Sequence, residues 1–311
     1  MIKELITKPP FPMPPPVTIY DGTGHDRLSL YAWQVMFREL HDFRELIFRL
    51  VVRDFSAQFR QSFLGYLWVV FPPLATTLIF TLLRLAEIVN IPMEGDIPYL
   101  LFALTGVTIW GMFTQFVLAA TTSIARSGNL VSKIYFPREV LVISGAGGAL
   151  INSAIQWVMV VITFVIVCFA MGFVPAWQVV FVPVLFVPMI LLALGLGLFF
   201  APINTMMHDT SRALQFIFQF GMFMAPTVYQ TPTLYTRELG EYAPGLATQF
   251  IFWVHSLNPV SHTLYAVHEL IEFGRFTPTA GWQAATLLSV LVFALGWRFF
   301  HVCEPLLAER L

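Results

Sequence analysis

The chain has 311 residues, of which 57% are hydrophobic and 11% charged, against roughly 25% charged in an ordinary globular protein. With 31 phenylalanines and eight tryptophans, it carries more apolar surface than a water-soluble domain of this size can bury, and lipid is the expected solvent. A formal charge of −1 leaves no basic excess for nucleic acid, and two cysteines, Cys168 and Cys303, are too few for a disulfide framework or a cysteine metal cage.

Residues 1–40 open with Pro9, Pro10, Pro12 and Pro14 to Pro16, then Gly22 and Gly24, and hold no apolar run of signal-peptide length. An irregular tail is expected there. From Phe43 to Arg60 the period turns helical: Glu45, Arg49, Arg53, Ser56 and Arg60 share one side while Phe43, Leu46, Ile47, Phe48, Leu50, Val51, Phe55 and Phe59 fill the rest, with Arg44 and Asp54 outside the pattern. Such a helix is too charged to cross a bilayer and too apolar to float, so residues 41–60 are expected to lie in the membrane interface.

Uncharged stretches then set the crossings. Gln61 to Leu83 gives the first and Ile97 to Ala125 the second. Val140 to Met207 holds no charged residue and is long enough for two crossings, with the break at Gly172-Phe-Val-Pro175-Ala-Trp177. Ala213 to Tyr229 gives a fifth and Thr277 to Trp297 a sixth. Residues 230–276 contain two apolar pieces, Ala247 to Val254 and Val260 to Ile271, separated by Asn258-Pro259. Both are too short to span, and re-entrant helices are expected. The fold class is therefore all-α and polytopic, with a six-span domain over 61–302 and a C-terminal tail over 303–311. Placing both termini in the cytoplasm puts 14 of the 17 Lys and Arg residues on the inner side, as the positive-inside rule requires.

At Arg60-Gln61-Ser62-Phe63-Leu64-Gly65-Tyr66-Leu67-Trp68, followed by Phe71-Pro72-Pro73-Leu74, the sequence resembles the start of the first span in permease subunits of ABC transporters that export O-antigen, capsular polysaccharide or teichoic acid. Three more passages agree in order and spacing: Lys133-Ile-Tyr-Phe-Pro-Arg-Glu139, Asn204 to Arg212, and Asn258-Pro259. Together they cover roughly residues 40 to 300. The long proline-rich N-terminus is more typical of O-antigen permeases than of the shortest capsule members.

The resemblance implies a homodimer in the bacterial inner membrane, paired with two copies of a separate ABC ATPase and passing a polyprenyl-diphosphate-linked polysaccharide. The chain is then a transport subunit with no catalytic residues and no cofactor of its own, ATP and magnesium being bound by the partner. The sequence fits that division, since it contains no G-x-x-x-x-G-K-[ST] phosphate loop. The small residues Gly145, Gly147, Gly148, Ala193, Gly197 and Ala201 are read as close helix contacts.

Candidate site residues follow. In the inner loop Arg126 to Arg138, Leu130, Lys133, Ile134, Tyr135 and Phe136 are expected to grip the ATPase. Arg53 and Arg60 are expected to meet the diphosphate of the substrate, because guanidinium forks bind phosphate oxygens bidentately. Tyr66, Trp68, Phe71, Trp110, Phe113 and Phe116 offer flat faces on which sugars can stack, although lipid-facing belts use the same residues. His255, His262 and His268 lie near Glu269 and Glu272 but lack zinc-ligand spacing, and are expected on the wet face of an outer helix rather than at a metal. Two alternatives stay open at this point: an ABC exporter of a capsule, teichoic acid, smaller lipid or drug, and a membrane-bound polysaccharide-assembly enzyme or scaffold.

Overall fold

In the computed structural model, which describes residues 31–89, 91, 97–127, 136–172, 176–230 and 245–308, the uncharged stretches become long helices. In chain order these are α1 (Tyr31–Asp42), α2 (Arg44–Gln58), α3 (Leu67–Leu85), α4 (Tyr99–Arg126), α5 (Glu139–Met171), α6 (Val182–Met206), α7 (Asp209–Gly221), α8 (Leu246–Leu257), α9 (Pro259–Phe273) and α10 (Ala280–Ala308). Among the described residues there is no strand. Five helices, α3 to α6 and α10, are long and apolar enough to cross a membrane.

The helix α4 is the centre of the bundle, packing on α3, α5, α6 and α7. Small residues set how closely it is approached. A Cβ on Gly145 of α5 would stand 2.8 Å from the Ala119 carbonyl oxygen of α4, and one on Gly197 of α6 would collide with Ala120. The sixth and fourth expected spans are tighter still: Gly296 of α10 and Gly195 of α6 lie backbone to backbone, with no room for a side chain on either. The break expected between the third and fourth spans falls at Gly172, whose φ of +69° gives α5 a left-handed C-cap. A 3-10 turn, Trp177–Phe181, then leads into α6.

Two segments depart from expectation. Residues 31–40, expected as irregular tail, belong to α1 (Tyr31–Asp42), which buries Met36 against α10. Trp33 and Phe37 pack edge-on against Trp297, with centroids 5.6 and 4.8 Å apart. The spacing Trp33, Met36, Phe37, Leu40 is an amphipathic stripe that turns helical once it has a face to cover. The second departure is the fifth expected span, which is helical only through α7 and a 3-10 turn, Met222–Met224. Ala225 is extended at φ −123°, ψ 151°, because the residue before Pro226 is driven from the helical region.

That segment nevertheless runs the depth of the bundle. At one end Asn204 donates to the Thr121 carbonyl at 3.4 Å and accepts from the Ser211 amide at 3.0 Å, capping the first turn of α7. At the other, the Tyr99 hydroxyl donates to the Val228 carbonyl at 3.1 Å. Residues 209–228 thus run beside the Thr121-to-Tyr99 length of α4, about 33 Å at 1.5 Å per residue.

Candidate translocation groove

Along α4, Gly111, Thr114, Gln115 and Leu118 form a half-buried stripe beside Trp110, at the spacing of one helical face. Two adjoining clefts open over this stripe. One, of about 500 Å³, is walled by Thr76, Ile79 and Phe80 of α3 and by Gln215, Phe218 and Gln219 of α7. The other, of about 390 Å³, is walled by Val69, Pro72 and Pro73 of α3, Asn152 and Gln156 of α5, and Gln58 of α2. Thr76, Trp110 and Met222 border both clefts.

The lining is built from the sequence outward. Pro73 has no N–H, so it leaves the carbonyl of Val69, four residues earlier, without its helical donor. Gln156 supplies one: its Nε2 donates to the Val69 oxygen at 2.9 Å. One turn before Gln156, Asn152 donates to Gln58 Oε1 at 3.3 Å. Trp110 donates its indole N–H to the Phe218 carbonyl at 3.0 Å and lies tilted against Phe113, centroids 5.7 Å apart. The named lining side chains are aromatic, apolar, hydroxyl or amide, and none carries a formal charge. Such a surface offers flat faces and many weak, exchangeable hydrogen bonds.

The six aromatic candidates therefore separate. Trp110 lines both clefts; Phe113 stands behind it, buried and edge-on to Phe218 at 5.6 Å. Phe116 is buried in the main core. Tyr66 stacks on Phe55 at 5.4 Å, beside Phe59, while Trp68 and Phe71 pack together on the exposed face of α3. The amides were not anticipated from the sequence, although Asn152 with Gln156 and Gln215 with Gln219 repeat at four residues inside the uncharged stretches Val140 to Met207 and Ala213 to Tyr229.

The helix α2 is amphipathic as expected. Leu50 packs with Phe136, Val140 and Leu141, and an exposed Arg49–Glu45 pair at 2.6 Å marks the wet side. Arg53 is half exposed and bound by Asp54 at 2.7 Å. Arg60 is exposed in the turn after α2 and has no ion pair among the described residues. The Arg60-to-Trp68 passage is a tight corner: Gln61 and Gly65 both take positive φ, 70° and 51°, and Ser62 Oγ accepts from the Gly65 amide at 3.1 Å. Of the expected ATPase contacts, Leu130, Lys133, Ile134 and Tyr135 lie outside the described residues. Phe136 is buried under α2, so its side chain anchors the loop to the bundle and presents no surface to a partner.

The outer-loop histidines require a correction. His255, His268 and Glu269 are buried, because α9 wedges against α4, α6 and α10 instead of lying at the surface. His268 stacks on Phe102 at 4.1 Å with Nε2 3.0 Å from Thr105 Oγ1. His255 Nε2 lies 3.3 Å from the Tyr229 hydroxyl, and Glu269 accepts from Thr277 at 2.6 Å. Asn258 caps α9, accepting from the Val260 amide at 3.0 Å with Pro259 in the first turn. Burial holds both histidines well below the usual imidazole range, to about 4.

An all-α bundle with five helices long and apolar enough to cross a bilayer is that of a multi-pass membrane protein. The model of the ABC-2 type transporter family matches residues 45–271, and the chain belongs to that family. It is similar to the O-antigen export system permease protein RfbA of Myxococcus xanthus, 28% identical over 198 residues, which cover 63% of this chain and 73% of that protein. A protein of the same name from Klebsiella pneumoniae is 22% identical over 272 residues, 86% of this chain and 95% of its own length.

Proposed function

We propose that the chain is the permease subunit of an ATP-driven exporter that carries a polyprenyl-diphosphate-linked polysaccharide, of O-antigen type, from the cytoplasm to the periplasm. It acts as a homodimer in the inner membrane with two copies of an ABC ATPase, which bind the ATP and magnesium. The observation that carries this reading is the groove on α4. Its amides, hydroxyls and the Trp110 face suit a neutral, hydroxyl-rich chain, and without fixed charges it has nothing to trap one. The names of the relatives support the same substrate class. The 209–228 segment beside α4 supports a sixth crossing, and with it both termini in the cytoplasm. Outside the groove, Arg53 of the interfacial helix and Arg60 in the turn after it recruit the diphosphate, and the loop around Tyr135 grips the ATPase.

The test is reconstitution of the permease with its ATPase in vesicles. Hydrolysis rising with polymer-linked lipid, and polymer passing to the far side, is the expected result. Stimulation by small amphiphiles alone would point to a lipid or drug exporter. Saturable ATP hydrolysis by this chain without a partner, contaminants excluded, would overturn the division of labour.

A further inference from the structure

At the end of the bundle remote from α9, four polar residues join two segments far apart in sequence. His301 Nδ1 of α10 lies 3.0 Å from Glu139 Oε1, at the first turn of α5, and 4.0 Å from Glu304 Oε2. Glu304 Oε1 accepts from the Arg138 amide at 3.1 Å, and its main-chain carbonyl accepts from the Arg138 guanidinium at 2.9 Å. Glu139 is 1% exposed, and its Oε2 has no hydrogen-bond partner among the described residues. A buried carboxylate with half its acceptors unused is a costly way to hold two helices together. Packed apolar residues would hold them as firmly with less directional demand.

Arg138 and Glu139 are the residues at which the inner loop enters α5, so any displacement of that loop toward the bundle passes through them. On the other side of the clamp is α10. Its 29 residues extend about 43 Å at 1.5 Å per residue, and backbone contact with α6 at Gly195 and Gly296 denies it independent movement. At its far end, Gly281 fits under the ring of His262 on α9, so close that a Cβ there would collide with the ring. A continuous, stiff path thus leads from the start of α5, through three directional polar contacts, to the helix that is wedged beside Phe102 and Thr105.

We propose that Arg138, Glu139, His301 and Glu304 form a coupling clamp that makes α10 a strut, through which movement of the inner loop shifts α9 at the opposite face. They are positioning residues; none of them touches the groove. The proposal rests on the export reading above, and the experiment separates the two. Glu304→Ala and His301→Leu each remove one arm of the clamp, while His301→Gln keeps an N–H donor for Glu139. Each variant is reconstituted as the full complex with its ATPase. In a background free of Cys168 and Cys303, spin labels at Tyr265→Cys on α9 and Leu82→Cys on α3, both exposed, report the distance between those helices.

In the parent, ATP is expected to change that distance. In E304A basal hydrolysis and thermal midpoint should stay near the parent's, while H301L, which strands the buried Glu139 carboxylate, should lower the midpoint; in both, per assembled complex, the distance change should vanish and polymer exported per ATP should fall about fivefold or more, the lower range of allosteric coupling. H301Q should recover most of both. Parental export per ATP and a parental distance change in both arms would overturn the clamp. So would a loss of export matched by an equal loss of assembled complex, which a merely structural contact predicts. A parent complex whose hydrolysis ignores polymer-linked lipid would instead remove the export reading beneath it.

Discussion

Gln156 of α5 donates its side-chain amide to the Val69 carbonyl of α3 at 2.9 Å, filling the place that Pro73 leaves empty. A second helix thus completes the hydrogen bonding of the first, and the repair sits in the wall of the groove. Replacing Gln156 with Leu strands a buried carbonyl and should cost about 1–3 kcal/mol. The loss should shrink when Pro73 is also replaced by Ala, which returns the helical donor. A double-mutant cycle on thermal midpoints in detergent measures the coupling; fully additive effects would refute the repair.

The groove amides should matter for passage more than for assembly. Gln215→Leu with Gln219→Leu removes paired donors and acceptors from one wall, and Trp110→Leu removes the aromatic face between the clefts. Polymer export should drop several-fold for each, with dimer and ATPase recovered at parental yield. Phe116→Leu, in the core, should lower the thermal midpoint and leave export per folded complex unchanged. Parental export in both the glutamine and tryptophan variants would remove the groove from the path.

Lysine substitution separates a diphosphate site from a general anchor at the interfacial helix. A bidentate site loses its fork when Arg53 and Arg60 become Lys, whereas attraction to anionic lipid at about 1 kcal/mol per charge persists. Since Asp54 already engages Arg53, Arg60→Lys should show the larger loss of polymer-stimulated hydrolysis. Export by the double variant at the parental rate would defeat the diphosphate assignment.

Phe136 and its neighbour Tyr135 should behave differently. Phe136→Ala empties a buried site under α2 and should destabilise the chain by about 3–5 kcal/mol, seen as a lower thermal midpoint. Tyr135→Ala should leave the midpoint in place and weaken ATPase association. Equal midpoints in the two variants would contradict the buried anchor.

Stability should fall in mild acid. His255 and His268 are held to about 4 by burial, against about 6.5 in the unfolded chain. Above pH 6.5 both states are neutral at these rings and no dependence arises. Between pH 6.5 and 4 the unfolded chain takes up protons that the folded one refuses, so stability drops as pH falls through that window. Thermal midpoints between pH 7 and 4.5 should decline less steeply in His268→Gln, and an identical slope would count against the buried, neutral ring.

Helices were legible wherever the absence of charge and a turn residue both spoke: the uncharged run from Val140 to Met207 divides at Gly172 because a left-handed cap needs no side chain. The first helix was hidden behind the prolines that precede it, and its stripe of Trp33, Met36 and Phe37 gains meaning only when α10 is there to receive it. The shortness of α7 at the fifth expected span follows from Pro226, a local signal outweighed by the surrounding run of apolar residues. At the groove, Trp110 was legible by type, but the amides were not, because an uncharged residue leaves no mark on a charge count. His268 and Glu269 were misplaced for the opposite reason. Their polarity suggested water, while tertiary packing gave each a partner in the interior.

The backbone contact between Gly195 and Gly296 limits how this chain can change over time. A side chain added at either position meets main-chain atoms of the other helix, not side-chain atoms that a second substitution could trim. No change at one site can therefore make room for a change at the other, and neither glycine has a neutral route away from glycine. Descendants of this sequence are free to redecorate the groove residue by residue, but they inherit the pairing of α6 with α10 unaltered.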